Sequence, residues 1–150
     1  MGTRPSLPDW HQVPEAPFSP DRAMVQRWLD AYVAAWKSYD EREIASLWTE
    51  DAVWVYPFGV RATGRAAITA EWMAEKDVFT GRGYDAVYEP IAIDGAIVVT
   101  HGRTLFFDIA TGSVKGEFDN IWVLRFGPDG RCAEFHEWYA GRPEHDPTRA

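Results

Sequence analysis

The chain contains very little cysteine, lysine or asparagine. The scarcity of cysteine and of lysine excludes whole classes of structure and function. Cys132 is the single cysteine among 150 residues, so an intrachain disulfide and a metal site shared by two thiols are both excluded. No run of Lys or Arg reaches three residues, and the net charge is −8. The basic surface that binds nucleic acids or anionic membranes is therefore absent. The single cysteine fits a reducing cytoplasm, which is the expected location.

Long apolar runs are also missing. No segment approaches the roughly 18 apolar residues that span a bilayer, and the first twenty residues lack the pattern of a signal peptide. Aromatic residues, in contrast, are abundant, with eight Trp, eight Phe and six Tyr. This length and apolar content predict one domain with one core. Arginine outnumbers lysine twelve to three, as is common in proteins from GC-rich bacterial genomes.

The order of patterns along the chain predicts an α+β domain at residues 19–142. Residues 1–18 carry four prolines, and their apolar residues recur with neither the period of a strand nor that of a helix, which predicts an extended arm. Residues 143–150 form a predicted tail. "SPDR" opens a helix with Ser19 as its cap, "DEREIASLW" gives a second helix, and "TGRAAITAEWMAEK" a third that Thr63 caps. Four strand-like runs follow from about residue 84, which predicts an antiparallel sheet packed on the helices.

Three segments carry a resemblance to a known fold. They are "YVAAWKSYDEREIASLWTEDAVWVYPFG", "GRAAI" and "IWVLRFGPDGRCAEFHEWY", and in this order they resemble the SnoaL-like members of the nuclear transport factor 2-like (NTF2-like) superfamily over about residues 20–142. The resemblance implies an NTF2-like cone, in which N-terminal helices pack in a strongly curved, mostly antiparallel sheet around a pocket. It also implies a homodimer through the sheet, and a range of functions from isomerases, cyclases, dehydratases and epoxide hydrolases to proteins without catalysis.

Ketosteroid isomerases are one enzyme type within this resemblance. Tyr32 in "YVAAW" stands where those enzymes keep an oxyanion-binding tyrosine. Tyr56 replaces their aspartate base, and Trp122 stands approximately where they have a proton-donating aspartic acid. The resemblance therefore disfavours isomerisation by their mechanism.

Limonene epoxide hydrolases are the second enzyme type. Glu137 in "FHEWY" falls where they have a pocket aspartate, and Arg103 in "GRTLF" is a candidate match for their central arginine. Leu105 replaces the second aspartate of their catalytic trio, so that set is incomplete. What the resemblance implies is a pair, Arg103 and Glu137, in an aromatic pocket.

Strand alternation divides the segment from Cys132 to Tyr139 into two faces. The face that the resemblance turns toward the cone carries Phe135, Glu137 and Tyr139, whereas the other carries Cys132, Glu134, His136 and Trp138. A register shift of one residue would instead turn His136 inward and Glu137 outward.

Glu137 is the candidate general base, because a carboxylate enclosed by aromatic rings loses hydration and its pKa rises. Arg103 and Tyr32 complete the predicted catalytic set as groups that stabilise a developing oxyanion. Two alternatives remain open. Glu137 and Arg103 form an inert ion pair, or Arg103 lies on the exposed face, since "VVTHGRTLFF" alternates poorly and Gly102 is a candidate bulge.

Aromatic side chains are predicted to form the ligand-binding wall. The predicted set consists of Trp54, Tyr56, Phe58, Trp72, Phe118, Asn120, Trp122, Phe135 and Tyr139. Asn120 is the polar exception in this set, and its amide can orient a carbonyl or satisfy the backbone.

The residues do not form a recognisable metal or cofactor motif, so we expect neither. The sequence predicts a small hydrophobic, carbonyl-bearing ligand and proton-transfer chemistry such as isomerisation, dehydration or aldol-type cyclisation. The alternatives are a non-catalytic binding or dimerisation module and epoxide hydrolase-like chemistry with the incomplete set. An enclosed cavity with at least two convergent polar groups would favour an enzyme or a binder, and a filled cone would favour a scaffold.

Overall fold

The computed structural model describes residues 2–7, 18–79 and 81–142. These residues form four helices and six strands. The helices are α1 Arg22–Ser38, α2 Glu41–Ser46, α3 Arg65–Ala74 and α4 Lys76–Phe79. The strands are β1 Trp48–Tyr56, β2 Gly59–Thr63, β3 Gly83–Asp94, β4 Ile97–Phe107, β5 Val114–Phe126 and β6 Cys132–Gly141.

All six strands belong to one sheet in the order β2-β1-β6-β5-β4-β3. Only β1 and β6 pair in parallel, and every other neighbouring pair is antiparallel. The sheet is curved, and α1 and α3 pack against it. The predicted α+β class with a mostly antiparallel sheet is confirmed. Strand β2 and helix α4 are additions that the sequence pattern did not reveal, because each is only four or five residues long.

Two helix starts differ from the prediction. The N-cap of α1 is Asp21, whose carboxylate accepts a hydrogen bond of 2.8 Å from the Met24 N–H, whereas the Ser19 hydroxyl donates to the Gly95 carbonyl. Helix α3 begins after Gly64 at a φ of 92°, without a side-chain cap, and Thr63 ends β2. A short polar residue near a helix start therefore indicates the helix but does not fix its first residue.

The buried stripe of α1 fills one end of the cone. The Trp28 ring contacts the rings of Trp48, Phe126 and Phe135 at centroid distances of 5.7, 5.4 and 6.2 Å. Tyr32, four residues later on the same face, lies 5.8 Å from Phe135 with the two rings almost parallel. Aromatic contacts of this kind stabilise the core beyond the area that they bury.

The predicted domain boundaries remain a prediction. The tail at 143–150 and most of the arm at 1–18 lie outside the described residues. Among the helices that the structure describes, none has the length and apolar character to cross a membrane.

Gly102 on β4 provides a test of this packing. A Cβ atom at this position would overlap the Tyr88 ring on β3 and come within 2.7 Å of the Val87 carbonyl oxygen. We therefore expect Gly102→Ala to lower the free energy of unfolding by about 1–3 kcal/mol, as overpacking does. Gly59→Ala is the matched control, because nothing lies within 4 Å of its new Cβ. Equal urea midpoints for the two variants would contradict the described packing.

Candidate active site

A cavity of about 210 Å³ lies beyond Tyr32, where the stripe of α1 no longer fills the cone. The helices contribute Tyr32, Trp36, Tyr39, Trp72 and Phe79 to its lining, together with Glu75 from the turn before α4. The strands contribute Trp54, Tyr56, Tyr88, Thr104, Phe106, Phe118, Asn120, Glu137 and Tyr139. The wall is thus mostly aromatic, and Glu137, Glu75, Asn120 and Thr104 are its non-aromatic polar members.

Glu137 is placed by the pairing of β5 with β6, which sets it directly opposite Trp122. Desolvation by the surrounding protein raises the pKa of its carboxyl from 4.5 to about 7. The Trp122 indole and the positive charge of Arg61 oppose this rise, and the negative charge of Glu75 adds to it. The indole N–H lies near the carboxylate, but it makes no hydrogen bond of normal geometry with a described residue. Glu137 is therefore a group that changes its protonation state near neutral pH.

Arg61 on β2 is held beside the wall by Glu75. Its Nη2 atom lies 2.7 Å from the Glu75 carboxylate and 3.3 Å from Glu71. Its guanidinium also lies over the Tyr56 and Trp54 rings, at 4.5 and 4.9 Å from their centroids. The guanidinium charge is therefore engaged by two carboxylates and two rings, and only part of its field reaches Glu137.

A chain of hydrogen bonds orients the Asn120 amide. The Thr104 hydroxyl donates to the Asn120 Oδ1 atom at 3.1 Å, and the Tyr88 hydroxyl lies 2.9 Å from the same Thr104 oxygen. Because Thr104 donates its one hydroxyl proton to Asn120, Tyr88 is the donor in the second bond. This leaves the Asn120 Nδ2 group as the free donor on a side chain that lines the cavity.

Tyr32 supplies a second donor to the cavity. Burial first, and then the charge of Glu137, raise the pKa of its phenol well above the ordinary value, so it stays protonated at neutral pH. No described residue forms a hydrogen bond with its hydroxyl. A buried phenol without a protein partner is available to a bound oxygen atom.

Arg103 does not face the cavity, so the expectation that it pairs with Glu137 is wrong. Its side chain is 55% exposed on the outer face of β4, where it lies 3.3 Å from Glu117 and 3.7 Å from Asp119. Regular pairing with β3 and β5 continues through Gly102 without a bulge, and Gly102 itself faces inward beneath Tyr88. Strand alternation then directs Arg103 outward.

Three residues of the predicted wall have a different position. Phe58 is fully exposed at a φ of 73° in the turn between β1 and β2, because β1 ends at Tyr56. Trp122 and Phe135 are 1% and 0% exposed, and they pack behind the wall rather than lining it. The other six predicted wall residues line the cavity: Trp54, Tyr56, Trp72, Phe118, Asn120 and Tyr139.

Several lining residues are not among those predicted from the sequence. Period-two alternation on β3 and β4 could have identified Tyr88, Thr104 and Phe106, and continuation of the α1 stripe could have identified Trp36. Glu75 and Phe79 had no such signal, because they belong to the short segment around α4.

The opposite face of β6 holds a separate polar group. His136 is buried there, with its Nε2 atom 3.4 Å from Glu134, which also accepts a hydrogen bond of 2.9 Å from Arg125. Cys132 is buried, and burial raises the pKa of its thiol. Among the described residues, no three His, Cys, Asp or Glu side chains come close enough together to hold a metal ion.

Comparison with known proteins shows which family and which solved structures are similar to this chain. The model of the SnoaL-like domain family matches residues 29–135, which is more than half of the chain. A search of curated proteins found no significant match. An LEH-like epoxide hydrolase from M. tuberculosis is 18% identical with a TM-score of 0.62, and the match covers 81% of this chain and 86% of that one.

Two further solved structures are similar. A SnoaL-like protein of unknown function from Burkholderia thailandensis is 20% identical with a TM-score of 0.62, covering 83% of this chain and 100% of that one. A ketosteroid isomerase-like protein from Erwinia carotovora is 21% identical with a TM-score of 0.54, and the match covers 80% of this chain and 96% of that one. At these identities the likeness is one of fold.

The raised pKa of Glu137 makes stability depend on pH. The folded state binds this proton more tightly than the unfolded chain does, so its contribution is fully present below pH 4.5 and is lost as pH rises through about 7. Glutamine cannot ionise. We therefore expect the free energy of unfolding of Glu137→Gln to exceed that of the wild type by up to about 3 kcal/mol at pH 8, and by little at pH 4.

The measurement is urea unfolding of both proteins from pH 4 to pH 8.5. Glu50→Gln, at an exposed position on β1, is the matched control and should follow the wild-type curve. Parallel curves for Glu137→Gln and the wild type would show that Glu137 ionises as easily in the folded protein as in the unfolded chain.

Proposed function

The chain belongs to the SnoaL-like domain family, and we propose that it binds a small hydrophobic, carbonyl-bearing molecule in the aromatic pocket and catalyses cofactor-independent proton transfer. The observation that carries the proposal is a carboxylate with a pKa of about 7, Glu137, in one cavity with two hydrogen-bond donors, Tyr32 and Asn120. A general base acts best when its pKa lies near the working pH.

The proposed reaction begins at the carbon next to the carbonyl group. The Glu137 carboxylate takes a proton from that carbon, the C–H electron pair forms a C=C bond, and the carbonyl π pair moves to oxygen. The Asn120 Nδ2 group and the Tyr32 hydroxyl donate hydrogen bonds to the resulting enolate oxygen. Return of the proton to another carbon is isomerisation. Expulsion of a β-hydroxyl, which leaves as water with the proton from Glu137, is dehydration. Attack of the enolate carbon on a second carbonyl, whose oxygen then takes this proton, is aldol-type cyclisation.

Epoxide hydrolase-like chemistry gains no support from the geometry. Arg103 and Leu105, the positions that would complete that set with Glu137, are both exposed on the outer face of β4. Non-catalytic binding is supported by the largely aromatic wall, which offers contact area without chemistry. Action in the cytoplasm remains a prediction.

Hydrogen–deuterium exchange of small ketones tests the catalytic proposal. We expect the wild type in deuterated buffer to accelerate α-proton exchange of 2-indanone or 2-tetralone, as measured by proton NMR. Glu137→Gln should lose about 10²–10⁴-fold of this acceleration, because glutamine cannot accept the proton. Quenching of the pocket tryptophans should show that the variant still binds the ketone.

The isosteric control is Glu50→Gln, which lies outside the cavity and should exchange protons at the wild-type rate. Equal acceleration by the wild type and Glu137→Gln would remove Glu137 from the mechanism. Binding without any exchange would support the non-catalytic alternative.

We also propose that the chain forms a homodimer through the outer face of the sheet. Val87, Leu105 and Ile121 are 69%, 37% and 38% exposed on this face, on three neighbouring strands. Arg103 lies among them beside Glu117. A two-fold dimer uses the same patch on both subunits, and a patch with apolar residues and both signs of charge supplies partners for its own copy.

Ile121→Asp tests this interface, because it places a charge among the exposed apolar residues of the outer face. We expect the wild type to sediment as a dimer in analytical ultracentrifugation, and the variant to shift toward the monomer by at least about tenfold in dissociation constant. Val78→Asp, at another exposed valine on α4, is the control and should remain dimeric. A monomeric wild type would contradict the proposal.

A further inference from the structure

A second chamber of about 580 Å³ adjoins the aromatic pocket. Phe79, Phe106 and Phe118 line both spaces. Their rings form a partition, with 6.0 Å between the centroids of Phe79 and Phe106 and 5.8 Å between those of Phe106 and Phe118. The two spaces therefore share one apolar wall, and a ligand that occupies both has to cross the edge of these three rings.

Two cations lie in the lining of this second chamber. Arg82, just before β3, and Lys115, at the start of β5, are both exposed, and neither forms an ion pair or a side-chain hydrogen bond with a described residue. They contrast with Arg61, Arg103 and Arg125, which are all paired with carboxylates.

Asp108 is the acidic member of the chamber lining among the described residues, and hydrogen bonds from Thr111, followed by the charge of Lys115, lower the pKa of its carboxyl. Its Oδ1 atom accepts hydrogen bonds from the Thr111 N–H at 2.9 Å and from the Thr111 hydroxyl at 3.1 Å. With two cations and one carboxylate, the chamber keeps a positive charge in a chain whose net charge is −8. An anion repelled by the rest of the surface is attracted here.

From this arrangement we propose that the ligand is amphipathic, with an apolar carbonyl-bearing body in the aromatic pocket and an anionic arm in the second chamber, bound by Arg82 and Lys115. The inference rests on the proposed function for the identity of the body. It adds that the two cations decide which carbonyl compounds bind. Both act by binding and positioning, and neither takes part in proton transfer.

Phenylalkanoates provide a probe series for this proposal. Phenylacetate, phenylbutyrate, phenylhexanoate and phenyloctanoate, each with its carboxylate at the chain end, are compared with their primary amides by isothermal titration calorimetry. We expect the longer acids to bind at least about fivefold more tightly than their amides, and this preference to fall as salt is raised. Phenylacetate should show little preference, because its carboxylate cannot reach past the partition.

The variant Arg82→Ala/Lys115→Ala should lose the preference for the acid and keep the affinity for the amide. Arg27→Ala and Arg42→Ala combined remove the same charge from exposed positions on α1 and α2 that line neither space, and should keep the preference. Equal loss in both double variants would show a general charge effect and overturn the proposal. Acids that bind no better than amides at any length, or no binding at all, would also overturn it.

Glu137→Gln separates this inference from the proposed reaction. The variant should keep the preference for the acid, because Glu137 does not line the second chamber. If ketone exchange proves independent of Glu137 while the preference persists, the reaction is wrong and the anion site stands. If the preference is absent while exchange depends on Glu137, the anion site is wrong and the reaction stands.

Discussion

The packing of α1 against the inner face of the curved sheet is the contact on which the rest of the structure depends. Trp28 fills one end of the cone, and Tyr32 closes it one turn later against Phe135. Trp36, the next residue on the same helical face, reaches only the wall of the open part. The cavity therefore begins where the helix stops filling the cone, and the Tyr32 phenol lies at that boundary.

The position of Glu137 follows from this partial filling. Its carboxylate is surrounded by aromatic side chains that remove water, and the cation that influences it, Arg61, is already paired with Glu75. The cost of desolvation is thus only partly offset, and the pKa rises to about 7. A complete ion pair at this place would have kept the carboxylate ionised and weakly basic. The aromatic wall and the incomplete charge compensation together give the pocket its chemical character.

The sequence allowed prediction of the α+β class and of the inward face of β6, because helical periods and strand alternation are local properties. It left the face of Arg103 open, because that face depends on Gly102 fitting under Tyr88 of the neighbouring strand. The exposure of Phe58 is set by a turn that begins where β1 ends. The second chamber was also beyond prediction, since three separate segments that only the folded sheet brings together form it.

Glu137 titrates near neutral pH inside the pocket, and the chemistry of the site depends on this. Carbon-13 NMR of the side-chain carboxyl groups measures this directly, with the Glu137 signal assigned by its loss in Glu137→Gln. The account predicts a titration midpoint near pH 7. A midpoint near the ordinary value of 4.5 would show that the carboxylate is well solvated or fully paired, and would contradict the account.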